Sequence, residues 1–305
     1  MSSTSTKLRF DGRVAIVTGG AQGMGKEHSM LLGSRGAKVV INDLDEKGAE
    51  ATVKAIQAEG GEAIAVAGSI SERIVIEAIV DAAINTWGRI DILINNAGID
   101  FSKPFTEITD SDFSRFLGVH VWGTWLLTQL SWPHMQLAKY GRVLIVCSHS
   151  IFGMPGNSAY TTAKGALFGL GRTLALEGES NGIHVNLLAP VAATAMAKEM
   201  LRGKESVFKA MSQEYPPSTV SSVASWLVHE DCKANGEFIG SYGRGLGKIA
   251  LTHSRGVVYD GQGEFTPEVV RDNFAKALEM DGAVVLTSMN EVQSSIISPG
   301  EKVSL

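Results

Sequence analysis

Six runs of continuous apolar, mostly β-branched sequence recur along the chain, at Arg13–Thr18, Ala37–Asn42, Ala63–Ala67, Ile90–Asn95, Arg142–Cys147 and His184–Leu188. They do not alternate polar with apolar, so each must be covered on both faces, as strands are in a parallel sheet between helix layers. Stretches with helical spacing separate them, at Gly25–Ser34, Glu46–Glu59, Glu72–Thr86, Asp110–Leu137 and Ala159–Ser180. Parallel neighbours need long crossovers, and this alternation supplies them. The expected fold class is α/β: a doubly wound, mostly parallel sheet of about seven strands with helices on both faces. A disordered tail is expected over 1–10, one domain over 11–247, and a C-terminal extension packed on it over 248–305. That extension holds a possible strand, Lys248–Thr252, and a helix candidate, Thr266–Met280, whose Thr-Pro start suits a cap followed by proline at the first helical position. The last dozen residues also read as a partly disordered tail.

Composition removes whole classes of function. The net charge is −5, with no long basic run, so neither nucleic acid nor an anionic membrane surface is an expected partner. No apolar stretch reaches the roughly 18 residues that would cross a bilayer, and the first seven residues lack the apolar block of a signal peptide. Cys147 and Cys232 are the two cysteines, too few for a disulfide framework, which leads to a cytoplasmic expectation. The seven histidines and two cysteines show no metal-ligand spacing, so no metal is expected.

The first apolar run ends in Thr18-Gly19-Gly20-Ala21-Gln22-Gly23-Met24-Gly25 and leads into the first helix. Glycines at such a turn let backbone amides approach a pyrophosphate at the positive end of a helix, although tight turns also need glycine for structural reasons. The spacing differs from the ordinary G-x-G-x-x-G fingerprint. Asp43 closes the second run and would accept ribose hydroxyls while repelling a 2′-phosphate. Gln22 stands where a cation would favour that phosphate. Both choices favour NAD over NADP; Asp43 could also cap the following helix. Together they make the domain a dinucleotide-binding one of Rossmann type.

Tyr160 and Lys164 lie one helical turn apart, on one face of a helix that follows a buried strand ending at Cys147-Ser148. That is the carboxyl edge where ligands of α/β sheets bind. A phenol ionises near pH 10, and a neighbouring ammonium together with a cationic nicotinamide would lower that value. Tyr160 could then exchange a proton with an alcohol or carbonyl as hydride moves, with Ser148 bonded to the substrate oxygen.

On these residues the chain resembles the classical short-chain dehydrogenase/reductases. Thr18–Gly25, Asp43, Asn95-Asn96-Ala97-Gly98, Ser148, Tyr160/Lys164 and Pro190…Thr194 occur in the family's order over about residues 10–250. The resemblance implies a cofactor site made of Gly19, Gln22, Gly23, Met24, Gly25, Asp43, Leu44, Ser69, Ile70, Asn95, Asn96, Ala97, Gly98, Tyr160, Lys164, Pro190, Val191, Ala193 and Thr194. Thr194 would contact the carboxamide side, and Lys164 would hold the nicotinamide ribose as well as tune the tyrosine. Four positions depart from the family pattern. His120 stands for the usual relay asparagine, Ser69 for the adenine-binding aspartate, and Val191 for the glycine after Pro190. Cys147 occupies the usual serine slot, leaving Ser148, or less directly Ser150, to serve.

His120 is similar to the histidine of one group in that family, the (3R)-hydroxyacyl-CoA dehydrogenase parts of peroxisomal multifunctional enzymes of type 2. Trp132-Pro133-His134-Met135, Leu174–Gly178 and His229–Cys232 support the likeness, as does the extension. It implies a hydroxyacyl-CoA or other bulky apolar alcohol as the small-molecule substrate, and His120 as a fourth catalytic residue, although a core or interface histidine reads equally well. A Met/Ala-rich segment with Ala192, Met196 and Met200 suits either an adaptable lid or an ordinary helix. Small residues from Ala163 to Gly171 and the stripe Trp122, Trp125, Trp132 fit a homodimer or homotetramer interface or a core. The expected activity is NAD-dependent interconversion of a secondary alcohol and a ketone. Rival readings are an NADP-linked carbonyl or sterol-type reductase, and a cofactor-binding sensor without turnover.

Overall fold

A computed structural model describes residues 7–259 and 264–292. Contacts divide the chain into two units, residues 1–248 and 249–305. In the first unit the elements run β1 (Val14–Thr18), α1 (Gly23–Ser34), β2 (Lys38–Asp43), α2 (Glu46–Ala58), β3 (Glu62–Ala67), α3 (Arg73–Trp87), β4 (Ile92–Asn95), α4 (Asp110–Phe116), α5 (Gly123–Ala138), β5 (Gly141–Val146), α6 (Ser158–Gly178), β6 (Ile183–Val191), α7 (Ala195–Met200), α8 (Glu205–Glu214), α9 (Pro217–Leu227), β7 (Phe238–Tyr242) and β8 (Gly245–Ile249). The sheet order is β3-β2-β1-β4-β5-β6-β7-β8, and the pairs from β3 through β7 are parallel. The sheet has eight strands, in keeping with the expectation of about seven; Gly243-Arg244 turns the chain back after β7 to form β8. That strand starts three residues before the expected Lys248.

The continuous apolar runs have the double-sided burial they require. In β1, Ala15 and Val17 face one cluster with Leu32 of α1, Ala49 and Ile56 of α2 and Val220 of α9. Val14 and Ile16 face the other, with Ile76 and Ile79 of α3, Leu126 and Leu127 of α5 and Leu167 of α6. Side chains alternate across a strand, so one run feeds two cores. Fully burying each such Val or Ile contributes about 1.5–3 kcal/mol.

The order reverses between β1 and β4, which leave side by side toward opposite edges. Such a switch opens a crevice beyond the carboxyl ends of the strands. Thr18 locks the two together there, its Oγ1 accepting from Asn96 N and Ala97 N at 3.0 Å each.

The tail expected to end at residue 10 shortens at its inner end. Phe10 is buried against the core and its N–H bonds Arg35 O at 2.8 Å; residues 1–6 lie outside the described residues. In the second unit, strands Thr252–His253 and Val284–Val285 pair antiparallel, and a helix spans Pro267–Ala277 with Thr266 at its cap position. The last dozen residues fall outside the described ones.

Candidate active site

The turn between β1 and α1 is built so tightly that only bare backbone fits. A Cβ on Gly25 would lie 2.0 Å from Gly19 O and 2.6 Å from Asn96 Nδ2. Gly23, at φ +56°, would aim a Cβ across the crevice to 3.5 Å from Thr194 Cγ2. Gln22 and Met24 flank it, and the first turn of α1 carries no acidic residue to compete with a phosphate. Asp43 closes the far side. Its Oδ2 accepts from Ala21 N at 2.9 Å and its Oδ1 from Asp45 N at 3.0 Å. It does not cap α2; Asp45 does, accepting from Gly48 N at 3.1 Å. Leu44 beside it is 70% exposed, a bare apolar rim next to a carboxylate.

The remaining expected cofactor residues divide by what their side chains do. Asn95 and Asn96 are committed to the protein: Asn95 Nδ2 donates to Thr128 Oγ1 at 3.1 Å and Asn96 Nδ2 to Thr18 O at 2.9 Å. Ser69 Oγ bonds Ser71 Oγ at 2.8 Å, and Ile70 is buried under Gly123. Pro190 and Val191 continue β6 rather than following it, paired with Ser241 and Tyr242 of β7. Ala193 N bonds Tyr215 O at 2.8 Å, and Thr194 Oγ1 caps α7 through Ala197 N at 3.3 Å.

Tyr160 and Lys164 sit in the first two turns of α6, with Lys164 Nζ 5.5 Å from the centre of the phenol ring. Nζ donates one proton to Val146 O at 2.7 Å and keeps two for other acceptors. Burial brings the ammonium down to about 8. Burial likewise pushes the Tyr160 phenol up to about 12, with Ser148 pulling the other way and Asp100 and Cys147 adding to the rise. In the chain alone desolvation is thus the larger effect on the phenol, before any cationic nicotinamide adds its charge to that of the lysine.

Of the three candidates for the serine slot, Ser148 is the one that pulls the phenol's ionisation down. Its Oγ also accepts from Ser150 N at 3.0 Å, starting a short 3-10 turn over His149–Phe152. Cys147 turns inward, its Sγ 3.2 Å from Lys164 O. Ser150 is buried.

His120 lies in a π-helical turn, Leu117–Trp122, between α4 and α5. Such turns often mark functional sites. Its ring meets the Tyr160 ring edge-on at 5.4 Å and lies parallel to Phe116 at 6.1 Å. Gly98 makes room, since a Cβ there would lie 2.6 Å from His120 Cε1. Nε2 donates to Ile99 O at 2.7 Å, which leaves buried Nδ1 without a partner. Burial holds the imidazole neutral, down to about 3.

Two residues at this site have no signal in the sequence. Asp100 Oδ1 accepts from Asn157 Nδ2 at 3.0 Å. They are 57 positions apart, and only the parallel sheet brings their loops together.

Residues 13–205 match the family model described as short chain dehydrogenase. The chain belongs to the short-chain dehydrogenase family. Dehydrogenases of this family are oxidoreductases that use nicotinamide cofactors. The chain is 36% identical to peroxisomal multifunctional enzyme type 2 of Mus musculus over 98% of this chain and 41% of that protein. The Drosophila melanogaster protein of the same name is 34% identical over 99% of this chain and 51% of its own length. Its full-length structure superposes with a TM-score of 0.79 at 30% identity, covering 94% of this short-chain dehydrogenase and 49% of that chain. The dehydrogenase thus spans about half the length of these relatives. Levodione reductase superposes with a TM-score of 0.72 at 26% identity, covering 77% and 98% of the two chains.

The relatives' peroxisomal names overturn the cytoplasmic expectation. That expectation rested on two cysteines, and a low cysteine count reports redox poise rather than the compartment.

Proposed function

We propose that the chain is an NAD-dependent dehydrogenase that interconverts a secondary alcohol and a ketone on a 3-hydroxyacyl-CoA-type substrate. The observation that carries the reading is the cluster of Tyr160, Ser148 and Lys164 at the carboxyl edge of β5, opposite the bare-backbone turn after β1. The turn fits a pyrophosphate because its glycines leave no side chain between the α1 amides and the crevice. Gly19, Gln22, Gly23, Met24 and Gly25 would hold the phosphates; Asp43 and Leu44 the adenosine ribose and its surroundings; Ser69, Ile70 and the Asn95–Gly98 turn the adenine side; and Pro190, Val191, Ala193 and Thr194 the carboxamide side. When bound, the nicotinamide supplies a hydride acceptor and a positive charge beside the phenol. Ser148 Oγ holds the substrate oxygen, and Tyr160 Oη takes the carbinol proton in oxidation and returns it in reduction. Lys164, with two free protons, holds the ribose hydroxyls and carries positive charge at the site. His120, neutral and with Nδ1 unpartnered, offers an acceptor that would hold a water for proton exchange.

The cofactor preference follows from charge. Asp43 already accepts two backbone N–H bonds, yet its remaining lone pairs can take ribose hydroxyls. A 2′-phosphate would meet that carboxylate with no cation at Gln22 or Leu44 to offset it. Steady-state rates with NADH and NADPH, run with 3-ketoacyl-CoA esters and with simple ketones, are expected to favour NADH by at least about tenfold, about 1.4 kcal/mol, and to favour the thioesters. A preference for NADPH would remove the Asp43 assignment; simple ketones outrunning the thioesters would remove the substrate assignment.

We also propose that the chain self-associates through the α5 side. Trp122 and Trp125 stack at 5.6 Å and are about 40% exposed, so they are not core, whereas Trp132 packs inward on Gly178. An aromatic pair in water is the kind of patch that interfaces bury. Changing Trp122 and Trp125 together to Lys is expected to lower the mass measured by sedimentation to that of one chain. An unchanged mass would refute this face as the interface.

A further inference from the structure

Asn157 occupies the cap position of α6, where its side chain would ordinarily bond an amide of the first turn. It does not. Its Nδ2 is given instead to Asp100 Oδ1 at 3.0 Å. The two loops are joined twice more, by Lys103 N to Gly156 O at 2.9 Å and by Ser102 Oγ to the same oxygen at 3.1 Å. Asp100 is thus fixed between the segment leaving β4 and the start of α6, where Asn157 stands three residues before Tyr160. It forms no ion pair with a neighbour among the described residues, although cations stand close by. Lys103 bonds Asp112 at 2.6 Å, and Arg115 lies over the Phe101 ring at 5.8 Å.

The elements around the phenol each bring a polar or titratable group. The π turn places neutral His120 there. The end of β5 brings Cys147, held as a thiol by burial, and Ser148. Lys164 comes from α6, and the loop after β4 packs Ile99 and Phe101 into the cluster that holds Tyr160, with Asp100 between them.

We propose that Asp100, tethered by Asn157, is a positioning residue that stations a carboxylate beside the Tyr160–Lys164 pair and thereby sets the pH at which that pair exchanges protons. This rests on the dehydrogenase reading above. Its electrostatics agree. Burial raises the Asp100 carboxyl, with Lys164 opposing. Asp100 in turn raises both Tyr160 and Lys164. The carboxylate counteracts the desolvation that strips Lys164 of its proton, while making the phenol harder to ionise. Removing the charge lowers both values, so the acid limb of the oxidation profile and the protonation midpoint of the lysine move to lower pH together.

The test is Asp100→Asn, followed in two ways. In lysine labelled with carbon-13 at Cε, with the Lys164 signal assigned by its loss in Lys164→Arg, the midpoint is expected to fall by about one pH unit. The acid limb of kcat for alcohol oxidation is expected to fall with it, and Asp100→Glu to recover part of both. Asn157→Ala retains the charge but frees it, and is expected to shift the lysine midpoint in the same direction by less. It also keeps the question open to measurement if Asp100→Asn does not fold. A Lys164 midpoint that stays in place in whichever of these variants folds overturns the proposal. Absence of turnover with every substrate would instead strike the dehydrogenase reading, since the labelled-lysine titration needs no catalysis.

Discussion

Tyr160→Phe is expected to reduce kcat/KM for alcohol oxidation by at least about 10²–10⁴-fold, the range contributed by a positioned proton-transfer group. The substitution removes one oxygen and leaves the ring that packs edge-on to His120 at 5.4 Å and to Phe116 at 6.2 Å. The melting temperature and NADH affinity should therefore stay close to wild type, and the loss should fall on kcat rather than KM. Burial outweighs the pull of Ser148 and pushes the phenol up to about 12 in the chain alone, and the positive charge of a bound nicotinamide is expected to move the acid limb of the wild-type rate to lower pH. Turnover of the Tyr160→Phe variant at the wild-type rate would leave Tyr160 as a packing residue. Inactivity of both proteins toward hydroxyacyl-CoA esters and secondary alcohols would favour the sensor reading.

The fold was legible because the apolar runs carry information that survives without neighbours. Val14, Ala15, Ile16 and Val17 can be buried only in a two-sided layer, and a two-sided layer of parallel strands needs helices as crossovers. What escaped was structure whose residues carry weak local preference. Strand β7, Phe238-Ile239-Gly240-Ser241-Tyr242, contains a glycine and a serine and is held by register with β6. Helices α8 and α9 have no preceding strand to frame them. The π turn at 117–122 comes with close packing of Gly118 on Ser71 and of the adjoining Gly123 on Ile70, contacts that no spacing rule contains.

The site divides in the same way. Gly25, Asp43, Tyr160 and Lys164 were readable because each belongs to a strand–turn–helix unit whose geometry is local. The choice among Cys147, Ser148 and Ser150 was not, since it turns on one residue of loop length; Cys147 facing the α6 backbone supports Ser148. The charge state of the pair in the chain alone is not legible for a different reason. One neighbouring ammonium is visible in a sequence, whereas the desolvation that raises Tyr160 and lowers Lys164 is a property of the whole enclosure. Asp100 and Asn157 were invisible because nothing local relates them.

Gly25→Ala separates local from tertiary control most sharply. In an exposed helix the change would stabilise the protein by about 1 kcal/mol. Here the opposite sign is expected. The new Cβ would stand 2.0 Å from Gly19 O and 2.7 Å from Gly19 C, both backbone atoms of the turn, and 2.6 Å from Asn96 Nδ2. Neither side can yield alone. Asn96 Nδ2 is bonded to Thr18 O at 2.9 Å, and Thr18 Oγ1 holds the Asn96 and Ala97 amides. To relieve the clash, α1 must move away from β1, which opens the bond set joining β1 to β4 and displaces the amides that face the crevice. Overpacking of this kind costs about 1–3 kcal/mol of stability. The effect on NADH binding should be larger than on folding, because misplaced amides lose the phosphate contacts together: a drop of about 100-fold or more, about 2.7 kcal/mol. Thermal unfolding and NADH fluorescence titration measure the two effects separately. A higher melting temperature with unchanged NADH affinity would mean that intrinsic helix propensity governs α1, and that the turn after β1 is no phosphate cradle.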